Sequence, residues 1–517
     1  MHIGDYLGRR SLYTPDRIGI VDAGKSPAWR LTFAALNERA NRFANWLRDA
    51  AGIGHGDRVA ILARDGLEHM DCFFACGKLG AIHTALNWRL HWREIEAIVA
   101  QTRPRALIYC DDFREAVTEL QRAISDTDHA IGHYLHISGE GIDGSLQFES
   151  ALQSGRSAPV CCEAVTEEDI AALIFTGGTT GQPKGAAVSH RMIAWNTLNT
   201  VIHDLHHDDT YLNVFPLFHT GGLFVYTLPQ VILGGMTVLM RQFDAERVLQ
   251  LIEAEKVTLF AGVPTMYQML TRAPNWPRAD LSSLRFCVSG GAALPLELVD
   301  RYMTEKRVRF KQGFGMTEFG PGVFALAPED AIHKAGSIGR PNFFVDARIV
   351  DPDGDALGPG EVGELLLRGP SCCSGYFGAD GRRQPVTDKD GWLHTGDLAR
   401  RDADGYYYVV DRKKDMFISG GENIYPLEIE TALYHHPAVH MCAVVGVPDT
   451  RWGECGVACV VLKTGATVTE AELIDFLGER LARYKVPKRV AFMESMPVSA
   501  AGKILKRELR RQLTGHS

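Results

Sequence analysis

Four glycines, three threonines and a lysine crowd into the ten residues Thr176-Gly177-Gly178-Thr179-Thr180-Gly181-Gln182-Pro183-Lys184-Gly185. The run follows an apolar stretch, Ala171-Ala172-Leu173-Ile174-Phe175. Glycine lets the main chain approach a ligand closely and take positive φ, so the loop offers backbone N–H groups, hydroxyls and one cation together, the donors a polyphosphate needs. It is not a Walker A loop, which ends Gly-Lys-Ser/Thr: here Pro183 precedes the lysine and Gly185 follows it. The pattern predicts ATP handling by a route other than that of a P-loop NTPase.

Other clusters carry compatible chemistry. Gln312-Gly313-Phe314-Gly315-Met316-Thr317-Glu318 sets a hydroxyl and a carboxylate in a glycine-flanked turn after a strand through Phe310. A hard cation takes such oxygen ligands while keeping waters and phosphates in its shell. Phe218-His219-Thr220-Gly221-Gly222 presents a histidine, and Thr395-Gly396-Asp397 an aspartate in a turn. The charged run Asp411-Arg412-Lys413-Lys414-Asp415 leads to Ser419-Gly420-Gly421-Glu422-Asn423-Ile424-Tyr425-Pro426. Taken singly, such features also read as a packed histidine, a plain Asp turn and a solvated charged face. From Arg483 to Arg511 nine Lys and Arg stand against two Glu, around Pro497-Val498-Ser499-Ala500-Ala501-Gly502-Lys503. A basic face can serve nucleic acid or anionic lipid, but few aromatics interleave here, so nucleotide phosphates are the expected ligand. His203, His206, His207, Asp208 and Asp209 have a spacing compatible with a metal. No second ligand cluster accompanies them and the stretch reads as a polar helix end, so zinc is not expected.

Short β-rich runs alternating with helical patterns must position these groups. Asp57–Leu62, Ala106–Tyr109, Val257–Val263 and Phe286–Ser289 read as strands, several running into glycine or proline and then a helix. Crossover units of this kind place ligands at the carboxyl ends of strands, where the Thr176 loop sits. From about Phe344 the texture changes. Val345–Val350, Gly363–Arg368 and Tyr406–Val410 read as strands joined by Asp353-Gly354, Asp390-Gly391 and Asp404-Gly405 turns, a small antiparallel barrel or sheet. Beyond the charged run lies an α+β stretch of about 100 residues, with a helix announced by a Thr469/Glu472 capping box. The expected fold is α/β, with a small β-barrel-like part and then a small α+β C-terminal domain, divided as 1–411 and 412–517.

The totals exclude several classes. A chain of 517 residues exceeds one core, and a net charge of −8 gives no global attraction for nucleic acid. Eleven scattered cysteines, with adjacent pairs at Cys161-Cys162 and Cys372-Cys373, form no disulfide framework. With no signal-peptide pattern at Met1–Asp5, a cytoplasmic location is expected. Between Phe215 and Met240 only His219 can carry charge near neutral pH. The run also holds Pro216, Pro229 and four glycines, so a buried helix followed by a core strand is expected, rather than a membrane span.

In order and over nearly the whole length, these motifs resemble those of the adenylate-forming superfamily: acyl-CoA synthetases, aryl-CoA ligases, peptide-synthetase adenylation domains and firefly luciferase. The resemblance implies a large N-terminal domain of two α/β subdomains plus a small β-barrel-like subdomain, in which Thr176, Gly177, Gly178, Thr179, Thr180, Gly181 and Lys184 clasp the β- and γ-phosphates of ATP. It implies that Phe314 stacks on adenine, within Gln312, Gly313, Gly315 and Met316, while Gly291 and Ala292 of the Ser289–Pro295 loop pack against the base. Thr317 would contact the α-phosphate and Glu318 would bind Mg²⁺. Asp397 and Arg412 would hold the ribose. His219 would lie at the mouth of the carboxylate pocket. Lys503 would hold the carboxylate and α-phosphate oxygens, Lys414 would be the hinge of a mobile C-terminal domain, and Gly420, Gly421 and Glu422 would line a thiol tunnel. One departure concerns the acid: some long-chain relatives carry a tryptophan gate where this chain has Leu223.

The expected activity is ATP-dependent joining of a carboxylic acid to CoA through an acyl adenylate, with ATP, Mg²⁺ and CoA. A carboxylate is a poor acyl donor until its oxygen is turned into a leaving group, and fixed donors must neutralise the charge that develops. The candidate acyl-pocket residues Trp195, Phe218, Leu223, Val263, Met266 and Tyr267 are apolar, with His219 at the entrance, which predicts a fatty, aryl or terpenoid-like acid. A separate carrier protein is the alternative acceptor, and a homodimer is left open. A non-catalytic acyl- or nucleotide-binding module is disfavoured because every matched polar position is intact. Luciferase-like oxidation is not expected, and Thr514-Gly515-His516-Ser517 is no peroxisomal address.

Overall fold

Apolar runs ending in glycine or a polar turn become parallel strands covered on both faces, the arrangement that a doubly covered sheet demands of its sequence. Ile82–Ala85, Ala106–Tyr109, Thr210–Asn213 and Leu259–Gly262 are buried at every position. The computed structural model describes residues 3–176, 183–291, 294–419, 422–498 and 504–515. The chain divides into two compact units, Met1–Asp346 with Arg368–Leu393, and Ala347–Leu367 with His394–Ser517.

The first unit is built on two nine-stranded sheets. One runs Arg383–Gln384, Tyr376–Phe377, Lys184–Ser189, Ile170–Thr176, Ile82–Ala85, Arg58–Leu62, Ala106–Tyr109, His133–His136, Leu146–Gln147. Its strands are parallel from Ile170–Thr176 onward, and antiparallel on the side that carries Lys184. The other runs Arg340–Pro341, Gly322–Leu326, Phe310–Gly315, Phe286–Ser289, Leu259–Gly262, Thr210–Asn213, Met236–Leu239, Ile18–Asp22, Trp29–Thr32. These are the two expected α/β subdomains.

Helix Leu67–Leu79 lies between them, and all thirteen of its residues are buried. One core cluster takes Leu67, Met70, Phe73 and Phe74 from this helix, Ala172 and Ile174 from one sheet, and Ile20 and Leu239 from the other. A helix covered on all sides must neutralise its charges internally. Glu68 pairs with Lys25 at 2.5 Å, Asp71 with Arg39 at 2.7 Å, and Lys78 with Asp5 at 2.5 Å.

Two expected elements are modified. The strand expected at Val257–Val263 is Leu259–Gly262: Val257 N–H closes the preceding helix on Ile252 at 3.0 Å, and Pro264 opens the next helix with the φ a first turn requires. The single helix expected after Phe215 is two short ones, Thr220–Phe224 and Thr227–Leu233, before the strand Met236–Leu239. Among the described residues no helix is long and apolar enough to cross a membrane.

The second unit contains a four-stranded sheet in the order Asp346–Val350, Gly363–Arg368, Leu393–Arg401, Tyr407–Arg412. It also holds a five-stranded sheet of Glu422–Ile424, Phe417–Ser419, Gly453–Leu462, Val439–Asp449 and Arg489–Phe492. Helices Pro426–Tyr434, Glu470–Gly478 and Lys506–Thr514 accompany it, and Thr469 and Glu472 form the expected capping box. The charged run Asp411–Asp415 lies inside this second unit, at the end of Tyr407–Arg412.

Candidate functional site

The phosphate-loop residues Gly177, Gly178, Thr179, Thr180 and Gly181 lie outside the described residues, but both stems are placed. Thr176 ends one strand and Lys184 begins its antiparallel neighbour directly opposite. Gly185 pairs with Phe175, whose ring occupies the space a side chain at 185 would need, with Cζ 2.9 Å from where a Cβ would stand. Glycine there lets the strand pass under the ring. Lys184 is exposed, and its ammonium lies 5.2 Å from the centroid of the Tyr376 ring. The Tyr376 hydroxyl donates to Glu318 Oε1 at 2.6 Å.

Glu318 belongs to the turn Thr317–Phe319, which follows the strand Phe310–Gly315. Beside it the buried hydroxyls of Thr317 and Thr220 meet at 3.4 Å, so the expected phosphate-side and carboxylate-side motifs are neighbours. His219 caps the five-residue helix after it: Nδ1 accepts from Gly221 N–H at 3.2 Å, which in the neutral ring assigns the proton to Nε2. Gly222 sits so close to Pro216 that a Cβ would stand 2.3 Å from the Pro216 carbonyl oxygen, and only glycine lets this turn close. Asp65 pins the same segment, Oδ1 accepting from Leu217 N–H at 2.8 Å. Burial pushes the Asp65 carboxyl up to about 7, against its hydrogen bond to Leu217 and the nearby Arg89 and Arg64.

Gly291 takes φ 79° after the strand Phe286–Ser289, and a methyl placed on it would meet Val263 Cγ1 at 3.6 Å. Val263 therefore abuts the loop expected to carry adenine, while Ala292 lies outside the described residues. Gln312 is buried, Gly313 pairs with Ala325, and the Phe314 ring packs edge-on against Phe324 at 5.8 Å. Gly315 ends this strand and Met316 precedes the turn.

The acyl-pocket candidates divide. Trp195 packs edge-on with Phe344 at 4.9 Å, Phe218 with Trp88 at 6.1 Å, and Val263 and Met266 are half-buried. Leu223 belongs to the core cluster between the two sheets. Tyr267 is fully buried among Phe260, Tyr302 and Phe310, its hydroxyl donating to the Val288 carbonyl at 2.7 Å. The apolar character that marked these two in the sequence is spent on packing.

Metal chemistry fits this donor set in one form. Among the described residues no three His, Cys, Asp or Glu side chains gather into a metal cage. Glu318 is a single half-buried carboxylate near threonine hydroxyls, which suits magnesium brought in on nucleotide phosphates and held by one carboxylate. Asp209, in the His203–Asp209 group, is a structural anchor: it accepts from His206 N–H, Thr258 Oγ1 and Arg285 at 2.7, 2.6 and 2.6 Å.

In the second unit Asp397 and Arg412 face each other across an antiparallel pair, with Arg412 Nε 2.6 Å from the buried Asp397 Oδ1. Lys414 is exposed in the turn after this strand, and Asp411 accepts from Leu427 N–H at 2.7 Å. Gly420 and Gly421 lie outside the described residues, and Glu422 is exposed at the start of its strand. Lys503 is likewise outside, but its flanks are pinned. Val498 bridges Ile504, Leu505 N–H donates to Pro497 at 2.8 Å, and Lys506 Nζ lies 2.8 Å from Glu430 Oε1. Burial alone would lower the Lys506 ammonium, but the Glu430 and Asp411 carboxylates outweigh it and raise it. The sequence reading missed Tyr376, Asp65 and Lys506. Tyr376 had one local signal, an aromatic after Ser374-Gly375, whereas the other two act through partners distant in the chain.

Residues 9–377 match the AMP-binding enzyme family and residues 428–503 the AMP-binding enzyme C-terminal domain. The chain is 41% identical to a feruloyl-CoA synthase of Amycolatopsis sp over 99% of both chains. It is 36% identical to an indoleacetate–CoA ligase of Aromatoleum aromaticum, covering 99% of this chain and 98% of that one. ATP-bound MatB from Rhodopseudomonas palustris superposes with a TM-score of 0.87 at 29% identity, over 98% of each chain.

Proposed function

The chain belongs to the AMP-binding enzyme family, in its acyl- and aryl-CoA ligase branch, and we propose that it converts a hydrophobic, aromatic-bearing carboxylic acid to its CoA thioester through an acyl adenylate. The observation that carries this reading is the meeting of Thr220 with Thr317 beside Glu318, in the same unit as Lys184. It brings the segment expected to receive the acid against the segment expected to receive the α-phosphate. The half-buried aromatic Trp195 favours a ring-bearing acid, as do relatives named for ferulate and indoleacetate.

In the first half-reaction a carboxylate oxygen attacks the α-phosphorus, the bond to the β-phosphate breaks, and pyrophosphate leaves. Thr317 donates to the α-phosphate, Lys184 steadies the departing pyrophosphate, and Lys503 holds carboxylate and phosphate oxygens as charge builds. Magnesium on Glu318 supplies further charge neutralisation for the phosphates. In the second half-reaction the CoA sulfur attacks the acyl carbon and AMP leaves. Residues 412–517 act as a mobile domain in this reading, turning at Lys414, withdrawing Lys503 and presenting Gly420, Gly421 and Glu422 along the thiol path. The eleven cysteines are all unpaired, which supports a reducing, cytoplasmic setting.

The test is a panel of aryl, indolyl, fatty and dicarboxylic acids scored by pyrophosphate release, then by mass spectrometry after adding CoA or a carrier protein. Ring-bearing acids should lead, with CoA as acceptor. A purely aliphatic profile, or a product found only on the carrier protein, rejects the corresponding half of the proposal.

A further inference from the structure

Tyr376 stands between two groups assigned above to the phosphates, and nothing in the proposed reaction uses it. Its hydroxyl donates to Glu318 Oε1 at 2.6 Å, while the Lys184 ammonium sits over its ring, 5.2 Å from the centroid. Tyr376 is placed by backbone. With Phe377 it forms a short strand antiparallel to Lys184–Ser189, with Tyr376 opposite Ala186. Side chains repeat every second residue along a strand, so Lys184 and Ala186 share a face and the ring on the neighbouring strand reaches the lysine diagonally.

The same segment is tied to Glu318 through main chain: Cys373 N–H donates to the Glu318 carbonyl at 2.8 Å. Ser374 N–H and Oγ both donate to the Ala187 carbonyl at 3.3 Å, and Arg191 donates to the Pro370 carbonyl.

We infer that Tyr376 is the positioning residue that couples Lys184 to Glu318, acting as a spacer that holds a cation on its ring and a carboxylate on its hydroxyl. The inference rests on the function proposed above. Lys184 and Glu318 carry opposite charge, and a direct ion pair would commit each to the other. With the ring between them, the ammonium stays available to anionic phosphate oxygens. The hydrogen bond to one carboxylate oxygen sets the orientation in which the carboxylate meets a metal.

The experiment measures binding of α,β-methylene-ATP by titration calorimetry to wild type, Tyr376→Phe and Tyr376→Leu, each with Mg²⁺ and with EDTA. Wild type should bind more tightly with Mg²⁺. Tyr376→Phe keeps the ring and the edge strand, so its EDTA affinity should hold, while the Mg²⁺ increment should fall roughly tenfold, as loss of a hydrogen bond to a charged group implies. Tyr376→Leu should weaken the EDTA affinity as well. The increment is a ratio taken on one protein, so an inactive fraction cancels. Equal increments in wild type and Tyr376→Phe overturn the inference and leave the function standing. A wild type that binds the analogue no better with Mg²⁺ overturns the metal reading beneath it.

Discussion

The hydroxyls of Thr220 and Thr317 meet at 3.4 Å although 97 positions separate them in the chain. Thr220 is the first residue of the helix after His219, and Thr317 opens the turn that carries Glu318. Each supports the other, but only Thr317 is assigned to phosphate. Thr317→Val should therefore lower the adenylation rate by on the order of 10²-fold, the scale of losing one donor to developing charge. Thr220→Val removes a neutral hydrogen bond and should cost about 0.5–1.5 kcal/mol in stability, with a smaller kinetic effect. Pyrophosphate exchange and thermal melts on the two variants would show whether this asymmetry exists.

Lys503→Ala should separate the half-reactions. Acyl-adenylate formation should fall by about 10²- to 10³-fold, while thioester formation from supplied acyl adenylate should largely survive. Lys414→Pro should show the opposite bias, because it would stiffen the hinge proposed for the second step. Equal losses in both assays for either variant contradict the two-conformation reading.

Asp65 gives a pH signature. Its carboxyl is raised from 3.8 to about 7 in the folded protein, so the fold favours the protonated form. The stabilisation is full below pH 4 and is lost as pH rises through 7, where the buried group must ionise. Asp65→Asn keeps an acceptor for Leu217 N–H and removes the ionisation. Its melting temperature relative to wild type should be several degrees more favourable at pH 8 than at pH 5. A difference independent of pH would show that Asp65 ionises as it does in water.

Lys506→Met leaves Glu430 and Asp411 without their shared cation. Removing one partner of a buried pair costs about 3–5 kcal/mol, and here the loss should be read in the second unit. Lys506→Arg should retain most of the stability. Because Lys506 ties the chain three residues after Lys503 to Glu430, adenylation should fall more than thioester transfer in Lys506→Met. Calorimetry with the paired half-reaction assays separates this outcome from a uniform loss.

What could be read from the sequence divides along a physical line. Features set by neighbours in the chain were legible: the Thr469/Glu472 cap, the strand before Thr176, and the helix opened by Pro264. So was the alternation of strands and helices ahead of a smaller α+β part. Features set by packing were not. Tyr267 and Val263 look alike as apolar candidates four positions apart, yet one is walled in by Phe260, Tyr302 and Phe310 while the other abuts Gly291. Tyr376 carried only the local signal of an aromatic after Ser374-Gly375, because its partners come from a sheet edge whose pairing no local pattern reports.

Helix Leu67–Leu79 has a consequence for how the first unit opens. With every residue covered and its charged side chains tied to partners outside the helix, no face can detach while the two sheets stay in place. Its amides should exchange with solvent only when both sheets separate together, and these should be the slowest protons of the first unit. The two nine-stranded halves, though built as distinct sheets, would then melt as one.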